Sequence, residues 1–234
     1  MRVFSRVLAT IRRRSFLVLE NIVSRLIKAY ASLIGAQNPK IVSLDKEVVS
    51  WFSKDFTIPS PPQVKRLVLL RHGIIDAPWI ETGTYLGQTT RYLSKHFKSV
   101  TTIEPNKALY ERASDLFNNN DHVNCVFGSS EDVFQGVLDS HSGDLNIFLD
   151  GHYSGGVTSR TQYDTPVILE IDSIIKSKTN FRRVNLFIDD VRCMNPKLME
   201  YENYPRLSEL LDMLEPYSNS ITIEHDILVA RLEF

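Results

Sequence analysis

Residues 79–87 read Trp-Ile-Glu-Thr-Gly-Thr-Tyr-Leu-Gly, WIETGTYLG. Trp79 to Glu81 predict a short buried strand, Gly83 and Gly87 permit a sharp turn after it, and a helix is expected from Thr89 to Phe97. Strand, glycine turn and helix in that order open a parallel α/β sheet, whose ligands lie beyond the carboxyl ends of the strands. A glycine pair alone is weak evidence for any particular ligand. The dinucleotide pattern G-x-G-x-x-G is not completed, because no glycine stands at Thr82, Tyr85 or Leu86.

The flanking sequence repeats the alternation. Helices are predicted over Gln63–Arg71, Lys107–Phe117, a short stretch after Ser130, Thr165–Lys176 and Tyr204–Leu214. Strands are predicted over Val100–Ile103, Val123–Phe127, Leu145–Leu149, Val184–Ile188, Ser220–Glu224 and Ile227–Leu232. Helices of this length between strands imply right-handed crossovers, hence an α/β fold with a doubly wound, mostly parallel seven-stranded sheet. The domain carrying it is expected to span residues 60–234. Residues 1–59 read as an N-terminal helical extension and a linker marked by Pro39, Pro59, Pro61 and Pro62, with a short helix near Val48 to Phe52.

Charge is distributed unevenly. Residues 1–34 hold seven Arg or Lys against Glu20 alone, leaving 20 basic and 27 acidic residues in the remainder. That acidic balance argues against a nucleic-acid-binding core, which needs a basic face to neutralise phosphates. In the extension, Phe4, Leu8, Ile11, Leu19, Ile22, Leu26, Tyr30 and Leu33 recur at helical spacing. One reading is a helix that packs on the core or on a second copy of the chain; the other is an interfacial anchor whose arginines face anionic lipid. No apolar run reaches the ~18 residues of a membrane span. Phe16–Leu19 is cut by Glu20 and Asn21, unlike a signal peptide. Two cysteines, Cys125 and Cys193, are too few for a disulfide scaffold and lack zinc-ligand spacing, so a cytoplasmic setting is expected, with peripheral membrane contact as the variant.

Two carboxylates frame the glycine turn. Glu104 closes the second strand 21 residues beyond Gly83, where an acid can accept hydrogen bonds from both hydroxyls of a ribose. Glu81 enters the turn itself; a carboxylate there repels a pyrophosphate but suits a cationic amino-acid group. The plainer alternatives are a structural Glu81 and a surface Glu104.

The segment E-x-G-x-Y-x-G followed by Thr89, then TIEPN (102–106), then FGSSED (127–132), resembles the class I S-adenosylmethionine-dependent methyltransferases, and especially the small metal-dependent O-methyltransferases of the catechol O-methyltransferase type. The resemblance covers about residues 79–190. It implies that Glu81, Gly83, Thr84, Tyr85, Gly87 and Thr89 line the methionine end of S-adenosylmethionine and that Glu104 meets the ribose. Ser130 and Glu131 would meet the adenine, and Asp150 would border the same ligand.

Leu145–Leu149 delivers Asp150 at its end, and Val184–Ile188 delivers Asp189 and Asp190. Three carboxylates in one cleft are costly unless a cation joins them, and an all-oxygen set favours a hard ion such as Mg²⁺. The chain also resembles macrocin O-methyltransferase-like sugar methyltransferases, with an Asp after the fourth strand and an Asp-Asp pair after the fifth. The bland alternative is an Asp pair that caps a turn. His152, in the glycine-rich run 151–156, is the candidate general base, with an ordinary pKa near ~6.5. The catechol-type enzymes carry a lysine where this chain has Tyr153. Arg160, Arg192 and His225 read mainly as surface or structural residues beside the cleft.

The expectation is thus an Mg²⁺-dependent O-methyltransferase acting on a hydroxyl of a small molecule or sugar. Two alternatives stand beside it: a nucleotide-binding oxidoreductase, and a non-catalytic binding module built on the cofactor fold.

Overall fold

The computed structural model describes residues 46–150, 165–195, 197 and 203–234. His152, Arg160, the extension over residues 1–34 and the loop over 153–163 lie outside the described residues. The chain divides into two units, one ending at Val64 and the other running from Lys65 to Phe234.

In the first unit, helix α1 (Lys46–Ser53) is followed by a turn in which Trp51 Nε1 donates to the Thr57 carbonyl at 2.9 Å. The Trp51 ring meets Phe56 edge-on at 4.9 Å.

Helix α2 (Pro62–His72) leads into the sheet: β1 (Trp79–Thr82), α3 (Gln88–His96), β2 (Val100–Glu104), α4 (Lys107–Phe117), β3 (Val123–Phe127), α5 (Ser130–Asp139) and β4 (Gly143–Leu149). Then come α6 (Val167–Lys176), β5 (Phe181–Ile188), α7 (Leu207–Leu214), β6 (Ser218–Glu224) and β7 (Ile227–Glu233). The strand order is β3-β2-β1-β4-β5-β7-β6. β1 to β5 run parallel, and β7 pairs antiparallel with both β5 and β6. This is the doubly wound Rossmann-like sheet of the class I methyltransferase fold.

Side-chain alternation along the strands builds two apolar layers, one on each face of the sheet. On one face Val184, Leu186 and Ile188 of β5 and Leu228, Ala230 and Leu232 of β7 join Phe134, Ile171, Ile174, Leu210 and Leu214 of α5, α6 and α7. On the other, Phe187, Ile227 and Val229 join Val68 and Leu69 of α2, Leu93 of α3 and Phe97 just beyond α3. Trp79 is fully buried there, stacked on Phe187 at 5.1 Å and edge-on to Phe97 at 5.0 Å. Such an aromatic cluster adds about 1 kcal/mol per pair beyond its burial.

Two strand asparagines fix how the chain enters β1. Asn146 is fully buried in β4; its Oδ1 accepts from the Ile74 amide at 2.8 Å and its Nδ2 donates to the Ile74 carbonyl at 2.9 Å. Asn185 Nδ2 donates to the His72 carbonyl at 2.5 Å. Both side chains give a tight turn the partners that buried amides require. Among the described residues no helix is long and apolar enough to cross a membrane.

Candidate active site

β1 and β4 are neighbours at the centre of the sheet, where crossovers leave in opposite directions, so their carboxyl ends open the crevice in which such folds bind ligands. The loop after β1 is held over β2: the amides of Gly83 and Thr84 both donate to the Ile103 carbonyl, at 3.0 and 3.2 Å. Gly83 has φ 86° and Gly87 φ 70°, and Gly87 lies immediately before α3. Tyr85 adopts φ 47°, rare for a residue with a side chain, and its ring is 65% exposed. The strain is countered by Glu104, whose Oε2 accepts from the Tyr85 amide at 2.8 Å, while its Oε1 accepts from the Asn106 amide at 2.9 Å. Asn106 in turn caps α4, accepting from Ala108 and Leu109 at 3.0 and 3.1 Å. Glu104 therefore clamps the β1 loop to the β2 turn, and each of its oxygens keeps a lone pair for a further donor.

Glu81 lies beneath the loop rather than on its surface. It is 1% exposed, and its Oε2 accepts from Thr90 Oγ1 at 2.5 Å and Thr102 Oγ1 at 2.7 Å. Thr84 Oγ1 lies 2.6 Å from Thr102 Oγ1; since the single Thr102 proton goes to Glu81, Thr84 is the donor in that pair. Burial pushes the Glu81 carboxyl up to about 7; the threonine hydrogen bonds oppose this, and the neighbouring Asp150 and Glu104 add to it. The threonine that serves Glu81 is thus Thr90; Thr89, singled out from the sequence, stands half-buried beside it in the first turn of α3.

Past β3, Gly128 has φ 148°, and a Cβ there would meet Val133 Cγ1 at 2.5 Å, so this turn accepts only glycine without rearrangement. Ser130 is buried at the start of α5 and Glu131 is exposed next to it. Below them Glu170, at 2% exposure, is pushed up to about 7 by burial, against hydrogen bonding from Ser130. Asp150 follows β4, its amide donating to the Thr82 carbonyl at 3.3 Å, which joins it to the same crevice.

The Asp189-Asp190 pair ends β5. Lys65 Nζ of α2 lies 2.6 Å from Asp189 Oδ1 and 2.6 Å from Asp190 Oδ1. Arg192 Nη1 bonds Asp190 and also Asp226, whose Oδ1 accepts from the Arg192 amide at 2.8 Å. Burial opposes the charge on Lys65, but Asp189 and Asp190 outweigh it and hold the ammonium above the ordinary lysine value. Asp189 is 6% exposed, and burial followed by nearby Asp150 raises its carboxyl. Asp190 has φ 54°, which turns its carboxylate back toward Lys65. The Asp189-Asp190 pair is bridged by the Lys65 ammonium, and the Arg192 guanidinium joins Asp190 to Asp226. Among the described residues no group of three His, Cys, Asp or Glu is arranged to hold a metal ion. As placed, the aspartates do not fit a resident Mg²⁺.

Sequence reasoning gave no role to Lys65, Thr90, Thr102 or Asp226. Lys65 sits inside a helix with no motif around it, Thr102 opens TIEPN but carried no role there, Thr90 is one position from the residue chosen, and Asp226 lies between β6 and β7. Arg192, read mainly as a surface or structural residue beside the cleft, bonds Asp190 and Asp226. His225, at φ 51°, stands 3.8 Å from Glu224 Oε1.

No family model and no curated protein matches the chain. Solved structures do overlay on it. A Staphylococcus aureus protein described as a candidate caffeoyl-CoA O-methyltransferase aligns at 15% identity over 88% of this chain and 98% of that one, with a TM-score of 0.48. The N-methyltransferase NodS of Bradyrhizobium japonicum, in complex with S-adenosyl-L-homocysteine, aligns at 13% identity over 84% and 92%, TM-score 0.48. An rRNA methylase of Streptococcus thermophilus aligns at 13% identity over 76% and 98%, TM-score 0.44.

Proposed function

We propose that the chain is an S-adenosylmethionine-dependent methyltransferase that methylates a hydroxyl of a small molecule or sugar. The observation that carries this reading is the β3-β2-β1-β4-β5-β7-β6 sheet with antiparallel β7, together with Glu81 and Glu104 gathered at its glycine loop. An NAD-type enzyme fits less well, since its doubly wound sheet runs 3-2-1-4-5-6 and its phosphate turn carries three glycines and no carboxylate.

When bound, S-adenosylmethionine supplies an electrophilic methyl group on a sulfonium. The chain's own residues give that ligand a place. Glu104 offers its remaining lone pairs to the ribose hydroxyls while holding the loop. Gly83, Thr84, Tyr85, Gly87 and Thr89 form the backbone rim for the methionine end, and Glu81 braces that rim from below through Thr90 and Thr102. Ser130 and Glu131 are assigned to the adenine. Asp150 adds negative charge on the sulfonium side. On the acceptor side, Lys65 is the fixed cation of the crevice, and His152 serves as general base.

The test is a methyl-transfer screen with labelled cofactor against hydroxylated sugars, phenols and amines. Hydroxyl acceptors should be labelled, and His152→Ala should lower turnover at least 100-fold with cofactor affinity within twofold. Labelling of amines alone, or unchanged turnover in His152→Ala, contradicts the proposal.

A further inference from the structure

Three elements that border the ligand crevice meet at one buried carboxyl. Glu170 stands in the first turn of α6, within the stripe of Val167, Ile171 and Ile174 that packs against the sheet. Thr82, the last residue of β1, and Ser130, the first of α5, turn their hydroxyls toward it, and all three residues are buried. Strand alternation puts Thr82 on the face of β1 shared with Ile80, opposite to Glu81. Gly83 of the glycine loop follows Thr82 directly, and Ser130 opens the helix assigned to the adenine.

Packing alone does not call for a carboxyl here, since an apolar side chain of the same size would continue the stripe at no desolvation cost. Nor does an ion pair. The charged side chain that bears on Glu170 is Glu131, another acid, and on its own helix Asp172 is paired with Lys176. What the carboxyl provides is polar reach to two elements at once. That reach is incomplete: among the described residues, neither Glu170 Oε1 nor Thr82 Oγ1 completes a hydrogen bond, although both atoms are buried. A buried acceptor beside a buried hydroxyl left without partners is costly, and the cost is recovered when the two elements close on each other.

We propose that Glu170 is a positioning residue that holds the start of α5 against the end of β1 and so sets the affinity of the crevice for the adenosine half of S-adenosylmethionine. This role rests on the S-adenosylmethionine reading and adds to it a residue that is shielded from the ligand and acts through Ser130 and Thr82.

The full chain is titrated in a calorimeter at pH 6 with S-adenosylmethionine and, separately, with 5′-methylthioadenosine, which lacks the amino-acid end. Glu170→Leu keeps the volume and removes the polar reach; it should lose at least tenfold in affinity for both ligands while its urea midpoint stays at or above that of wild type. Glu170→Gln keeps a donor and an acceptor and should bind both within threefold of wild type. Ser130→Ala should also lose affinity, and Glu170→Leu/Ser130→Ala should lose no more than the weaker-binding single variant, because the two residues act through one contact. Binding by Glu170→Leu within twofold of wild type overturns the proposal, as does a Glu170→Gln loss equal to that of Glu170→Leu, or losses that multiply in the double variant. Wild type that binds neither ligand overturns the S-adenosylmethionine reading itself, and this role with it.

Discussion

Lys65 places one ammonium 2.6 Å from an oxygen of each of two adjacent carboxylates, in a setting where it is 14% exposed and Asp189 6%. Removing one partner of such a group leaves uncompensated negative charge in a poorly solvated site, typically at a cost of about 3 kcal/mol. Lys65→Gln is therefore expected to lose about that much in urea unfolding at pH 8. The same substitution opens the aspartate pair to a hard cation, so Mn²⁺ followed by electron paramagnetic resonance should bind the variant at least tenfold more tightly than wild type. Equal stability and equal Mn²⁺ binding in the two proteins would show that Lys65 does not fill the pair.

Glu170 supplies a pH prediction of definite sign. Burial raises its carboxyl from the ordinary 4.5 to about 7, so between those values the folded chain holds a proton that the unfolded chain has released. Stability from this group is full below about 4.5, falls as pH rises to about 7 and is level above. Glu170→Gln should remove that slope and gain about 3 kcal/mol over wild type at pH 8, an upper figure since the amide must also find partners. A midpoint against pH with the wild-type slope would contradict it. Motif residues such as Glu81, Glu104 and Asp189 were legible in the sequence because they end strands next to recognisable turns. Lys65, Thr90 and Thr102 were not, because their roles come from side chains that meet only in the fold, at 9 to 125 positions of separation.

Helices and strands were largely legible, since buried parallel strands are apolar runs and the helices over them carry apolar stripes. α4 and β3 have the bounds expected, and β7 extends one residue beyond its expected end. The largest differences, three residues each, are the start of β5, at Phe181 rather than Val184, and the start of α7, at Leu207 rather than Tyr204. Arg182 and Arg183 read as loop because charge is rare in a central strand, yet both side chains pair with Asp144 at the base of β4. The connection from α2 to β1 was least legible, because Asn146 and Asn185 shape it from strands far along the chain. Gly73 ends α2 with its amide on the Leu69 carbonyl at 2.8 Å. A Cβ there would meet Trp79 Cζ2 at 2.7 Å, the Leu69 carbonyl at 2.8 Å and Phe97 Cζ at 2.8 Å. Gly73→Ala should destabilise by about 2 kcal/mol, an overpacking cost, as read by chemical unfolding. Gly136→Ala on α5, where a Cβ meets nothing within 4 Å, should be neutral or stabilising and serves as the comparison.

Across the whole sheet, two apolar layers hold the carboxyl ends of β1, β2, β4 and β5 in one crevice, and nearly every polar contact there fixes backbone or another side chain. Glu104 clamps Tyr85 and Asn106, Glu81 gathers Thr90 and Thr102, and Lys65 closes the aspartate pair. A ligand entering this crevice meets a rim already set in place, which lowers the ordering cost of binding. Calorimetric titration of the chain with S-adenosylmethionine, beside NAD under the same conditions and with Glu104→Ala as comparison, reads this reading at its base. One S-adenosylmethionine should bind per chain, NAD should bind at least 100-fold more weakly, and Glu104→Ala should lose at least tenfold for S-adenosylmethionine. No heat with S-adenosylmethionine, or tighter binding of NAD, would contradict it.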